Sequence, residues 1–196
     1  MIGDDLLEAL IPVVEALERL GVAYHVGGSL ASSAYGVARS TLDVDVVADL
    51  RPEHAAALAA SLNDAYYVDE EAVRAAIAAR ASFNAIHLAT TIKIDVFVAD
   101  RAPFDRAELS RARRETLEDD EHARRFFVKS PEDVVLRKLR WYRDGGEVSE
   151  RQWSDVVGVL KVQATALDLA YTSAWASQLG LSDLLARALR EAGLAG

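Results

Sequence analysis

Leu6, Leu7, Leu10, Val13, Val14, Leu17 and Leu20 recur at three- and four-residue spacing, which predicts an amphipathic helix ended by Gly21. The pattern then shortens. Val22 to Val26 reads as a strand running into Gly27-Gly28, and Leu30 to Tyr35 as a short helix stopped by Gly36. Asp43 to Ala48 is strand-like, and Pro52 to Leu62 returns to helix with proline in its first turn. The run "FNAIHLATTIKIDVFV", 83–98, is rich in β-branched and aromatic residues and predicts two strands joined near Ala89 to Thr91. A helix around Phe104 to Arg113 and a hairpin over 115–129 follow. From Ser130 the character becomes helical. Ser130-Pro131-Glu132-Asp133 supplies a cap, a first-turn proline and first-turn acids, and Ser149-Glu150-Arg151-Gln152 reads as a capping box. Two further helices are expected near 167–179 and 182–192. The layout is α/β (α+β): a mixed sheet flanked by helices over 1–129, then a C-terminal helical subdomain over 130–196.

Composition narrows the field. The chain has 196 residues, 51% hydrophobic and 27% charged, which is globular rather than disordered. It has no cysteine, so disulfides and thiolate metal sites are excluded. The start Met1-Ile2-Gly3-Asp4-Asp5 is acidic where a secretory signal is basic, and no apolar run approaches the roughly 20 residues that span a bilayer. A cytoplasmic protein without a membrane partner is expected. Net charge is −9, which argues against coating nucleic acid, although residues 101–143 carry 12 Lys and Arg against 9 Asp and Glu. That stretch either meets a phosphate-bearing partner or is a solvated mixed-charge surface.

The chemistry lies in the apolar strands. Asp43 and Asp45 alternate with Val44 and Val46, so both acids share one strand face. Side by side they repel each other, and burying them is costly unless a cation neutralises them; a hard divalent ion with oxygen ligands suits the pair. Asp95 in "KIDVFV" is a third acid in an apolar strand. Either it joins the first two around metal, or it pairs with Lys93 on its own face. Gly27-Gly28-Ser29 follows a strand and opens a helix, where glycine lets the backbone approach a phosphate and the helix N-terminus offers N–H groups. Ser29 could donate to a phosphate oxygen or cap the helix. Neither G-x-G-x-x-G nor G-K-[ST] occurs. His25, His54, His87 and His122 lack metal-ligand spacing.

Taken together, Gly28-Ser29, thirteen intervening residues, Asp43-Val44-Asp45-Val46 and Asp95 resemble the signature of the nucleotidyltransferase superfamily related to DNA polymerase β. The resemblance implies that Asp43 and Asp45 are ligands of Mg²⁺, with two ions expected and Mn²⁺ an alternative. It makes Asp95 a further ligand and the base, and Gly27, Gly28 and Ser29 the nucleotide turn. The substrate would be an NTP, and the acceptor a hydroxyl on RNA, protein or a small molecule. "ARSTLD", with Arg39, Thr41 and Asp43, is similar to the approach to the acids in AbiEii-type toxin nucleotidyltransferases. So are Pro131-Glu132-Asp133, Lys138-Leu139, and Arg151 with Asp155. That branch implies a cognate partner protein of the toxin–antitoxin kind. Lys138 reads as a triphosphate contact or an exposed helix lysine, and Arg39 as a phosphate contact or a surface ion pair. Arg151 and Asp155, four apart, read as an ordinary helix pair. Two other functions stay open: a non-catalytic nucleotide- or partner-binding module, and an adenylyltransferase acting on aminoglycoside-type small molecules.

Overall fold

The computed structural model describes residues 3–37, 41, 43–118, 120 and 122–194. By its contacts the chain divides into two compact units, one of Met1–Leu30 with Ser40–Val128, the other of Ala31–Arg39 with Lys129–Gly196.

Among the described residues of the first unit seven strands form one mixed sheet: β1 (Tyr24–Val26), β2 (Asp43–Ala48), β3 (Tyr66–Tyr67), β4 (Ser82–His87), β5 (Lys93–Val98), β6 (Arg113–Thr116) and β7 (Arg125–Val128), in spatial order β3-β4-β5-β2-β1-β7-β6. Two pairs, β2 with β5 and β1 with β7, are parallel; the rest are antiparallel. The expected pair of strands in 83–98 is β4 and β5, and the expected hairpin is β6 and β7. Period-two alternation gives the sheet two unlike faces. Val44, Val46, Ala48, Ile94, Val96, Phe83 and Ala85 point to one side and are buried. That side meets α1 (Asp4–Arg19), whose predicted stripe is buried along its length, and α4 (Glu70–Ala79); α3 (Ala55–Leu62), entered through a single 3-10 turn at Pro52–His54, packs on both helices. The other side carries Asp43, Asp45, Lys93, Asp95 and Asn84, none of them buried. Helix α5 (Pro103–Ser110) precedes the hairpin.

The short helix after the glycines, α2 (Gly28–Tyr35), begins in the first unit and ends in the second. There it joins α6 (Pro131–Asp144), α7 (Glu150–Gln163), α8 (Leu169–Gln178) and α9 (Ser182–Glu191). Both predicted serine caps form: Ser130 Oγ accepts from the Asp133 amide at 3.2 Å and Ser149 Oγ from the Gln152 amide at 3.4 Å. Gln163 Nε2 donates to the Tyr35 carbonyl at 2.9 Å. Gly36 lies so close to α7 that an added Cβ would meet the Val159 amide at 3.0 Å. No helix among the described residues is long and apolar enough to cross a membrane.

Candidate active site

Strands β2 and β5 run parallel and in register, with Asp45 directly opposite Asp95 and Asp43 opposite Lys93. Adjacent strands lie about 4.8 Å apart, so the Asp45 and Asp95 side chains leave the same face as neighbours, and Asp43 stands one pleat along the same face. All three acids therefore occupy one side of the sheet. Lys93 Nζ sits 2.8 Å from Asp95 Oδ2. The Asp95 hydrogen bond chiefly, then the charges of Asp95, Asp43 and Asp45, outweigh partial desolvation and hold the lysine above its ordinary pKa. The ion pair weighed for Asp95 in the sequence is thus present, and Asp45 stands opposite it on the neighbouring strand.

The glycine turn abuts the same acids. The Gly27 amide donates to the Asp45 carbonyl at 2.8 Å, extending the antiparallel β1–β2 ladder by one residue. Gly28 has φ +54°, and a Cβ built there would overlap the Asp45 carboxylate. Only glycine permits both the left-handed backbone and the close approach. Ser29, nearly buried, is in the first turn of α2. Thr41 orders the entry to β2: its hydroxyl donates to the Asp43 carbonyl at 3.1 Å and accepts from the Asp43 amide at 3.4 Å. Asn84 on β4 is opposite Asp95 on its other side and exposed, so one row across the sheet reads Asn84, Asp95, Asp45. Sequence reading misses Asn84, because the β4–β5 register that places it follows from the turn at 88–92.

The remaining candidates fall elsewhere. Arg39 lies outside the described residues. Lys138 belongs to the second unit, where it is neither exposed nor solvated: its Nζ is 2.7 Å from Asp155 Oδ2 and 3.1 Å from Gln152 Oε1, with side chains only 4% and 8% exposed for lysine and aspartate. Asp155, expected beside Arg151, thus has Lys138 as a partner, and Ser32 Oγ donates to it at 3.3 Å. Glu132 and Asp133 are fully buried and hydrogen-bonded. Glu132 accepts from the Asp168 amide at 3.0 Å, and Asp133 accepts from Tyr171 Oη at 2.7 Å and from Ser130 Oγ at 2.6 Å.

Asp43, Asp45 and Asp95 offer hard carboxylate oxygens on one face, a donor chemistry that fits Mg²⁺ or Mn²⁺, and the Lys93 ammonium beside them marks the face as one that draws positive charge. Their side chains do not converge to ligating distance: among the described residues no group of three or more His, Asp or Glu is disposed to hold a metal ion.

No protein-family model and no curated protein matches the chain. Solved structures do. A nucleotidyltransferase-like antigenic protein from Paracoccidioides brasiliensis matches at 17% identity and TM-score 0.54, over 97% of this chain and 94% of that one. The antibiotic-resistance factor ANT(2'')-Ia matches at 14% identity and TM-score 0.52, over 91% and 95%. TM1012 of Thermotoga maritima, described as a candidate nucleotidyltransferase, matches at 17% identity and TM-score 0.52, over 78% and 94%. Likeness at such identities carries the fold, and the fold of this chain is that of the nucleotidyltransferases.

Proposed function

We propose that the protein transfers a nucleoside monophosphate from an NTP to a hydroxyl acceptor in a Mg²⁺-dependent reaction. The observation that supports this most is the register that sets Asp45 against Asp95, with Asp43 one pleat away and Gly28 pressed onto the Asp45 carboxylate. In this reading Asp43, Asp45 and Asp95 would hold a divalent cation, which would supply Lewis-acid stabilisation of charge on the phosphate oxygens. Gly27, Gly28 and Ser29 bring backbone N–H groups and a hydroxyl to the nucleotide phosphates. Asp95 takes the proton from the acceptor hydroxyl, whose oxygen bonds to the α-phosphorus as the bond to the departing pyrophosphate breaks. Arg39 enters only as a candidate phosphate contact, and Lys138, held by Asp155 and Gln152, takes no part in this reading.

A small-molecule acceptor is the favoured class. The likeness to an antibiotic-resistance factor extends over nearly the whole of both chains, and a net charge of −9 suits a cationic small molecule better than RNA. The test is a panel of labelled NTPs against an aminoglycoside, tRNA and protein acceptors, with wild type and Asp45→Asn in parallel. Label on the aminoglycoside, absent with Asp45→Asn, is the expected result. Label on tRNA or protein moves the assignment to those acceptors and reopens a toxin-like role with a cognate partner. NTP and Mg²⁺ binding by calorimetry, with no product on any acceptor, would favour a non-catalytic binding module.

A further inference from the structure

The strand pair that aligns the carboxylates also aligns a cation with them. Lys93 faces Asp43 across the β2–β5 ladder and precedes Asp95 by one pleat on its own strand, so its ammonium leaves the sheet on the acidic face. Its Nζ lies 2.8 Å from Asp95 Oδ2. Without it, Asp45 and Asp95 would stand as adjacent like charges on neighbouring strands, an arrangement that destabilises a sheet. The lysine side chain is 41% exposed against 17% for Asp95, so the four-carbon stem has solvent to swing into while the carboxylate stays in place. An ammonium and a divalent cation cannot share Asp95 at close range without mutual repulsion.

We propose that Lys93 is a built-in counter-cation, which steadies the acidic face of Asp43, Asp45 and Asp95 while no metal is bound and must leave Asp95 when a divalent ion binds, so that it sets the affinity of the site for metal. This rests on the three aspartates being the metal site. Lys93 is then a positioning residue, acting through Asp95. By linkage, whatever stability the ammonium lends the metal-free protein is subtracted from metal binding.

The experiment titrates Mn²⁺ by calorimetry, without nucleotide, into wild type, Lys93→Met, Lys93→Arg and Asp45→Asn, and records thermal unfolding of each in EDTA and in Mg²⁺. Lys93→Met should bind Mn²⁺ about tenfold more tightly, the order expected for removing one nearby like charge in partly solvated surroundings. It should melt lower than wild type in EDTA and gain more from Mg²⁺. Lys93→Arg keeps the charge and should stay near wild type in both readouts. If Lys93→Met is recovered unfolded in EDTA, Lys93→Gln is read in its place. Binding to Lys93→Met that is equal to or weaker than wild type, while Asp45→Asn loses it, overturns this proposal and leaves the metal site standing. Mn²⁺ binding that is absent throughout, or indifferent to Asp45→Asn, overturns both.

Discussion

Replacing Asp45 with asparagine keeps the side chain's shape and removes the charge that faces Asp95 across the β2–β5 ladder. Transfer should drop roughly a hundredfold to a thousandfold or more, the scale of losing one charge-stabilising group in a transition state. Chemical denaturation should show stability unchanged or raised by up to about 1 kcal/mol, since a repulsion is relieved. Gly28→Ala tests the turn: it forces a side chain into φ +54° and into the Asp45 carboxylate. It should lose about 1–3 kcal/mol in urea unfolding, and nucleotide affinity with it. These residues are legible because a carboxylate in an apolar strand, or a glycine pair between strand and helix, conflicts with its surroundings and so signals a reason. Asn84 conflicts with nothing. A polar residue on the exposed face of a strand is ordinary, and only the pairing of β4 with β5 sets it beside Asp95.

At the scale of the element, the buried Lys138–Asp155 ion pair ties α6 to α7. Lys138→Met removes the cation 2.7 Å from the buried Asp155 carboxylate and should cost about 3–5 kcal/mol in equilibrium unfolding. The double variant Lys138→Met with Asp155→Leu should recover much of that loss, because replacing a whole buried pair with apolar groups is often neutral. The serine caps and helix stripes were readable because each is decided within a few residues. The Lys138–Asp155 bond joins two helices seventeen positions apart, and i, i+4 spacing alone favours Arg151 instead. Helix α4 escapes the pattern for a different reason. Its buried face is Val73, Ala76 and Ile77, with alanines also on the exposed side, so the apolar stripe is faint. The start signal was there: Asp69 accepts from the Glu71 amide at 3.0 Å, with two acids in the first turn. The two-residue β3 has no sequence period at all.

For the whole molecule, alkaline stability follows from two tyrosines anchored on α1. Tyr66 Oη donates to the Ala9 carbonyl at 2.7 Å and Tyr24 Oη to Glu18 at 2.9 Å. Burial chiefly, with Glu8 acting on Tyr66 and Glu18 on Tyr24, raises both phenols well above their ordinary value, against smaller opposing pulls on Tyr24 from the Phe127 backbone and Arg124. The folded state then keeps protons that the unfolded chain releases. Their stabilisation is whole below about pH 10 and is lost as pH rises through the folded values. Stability should fall by about 1.4 kcal/mol per pH unit for each tyrosine in that window. Tyr66→Phe should flatten the alkaline limb in a pH series of urea melts, and lose about 1 kcal/mol at neutral pH with its hydrogen bond.

The passage of α2 from one unit into the other has a consequence for how such a protein can be rebuilt. A recombination that exchanged residues 129–196 as a block would deliver helices lacking the strip of chain they close upon: the Ser32 hydroxyl at Asp155, the Tyr35 carbonyl at Gln163, the bare Gly36 against Val159. The donor of that block and the recipient would have to agree at a segment that neither exchanges, a hundred residues upstream. An exchange of the helical half would therefore have to carry residues 31–37 along with it to preserve those three contacts.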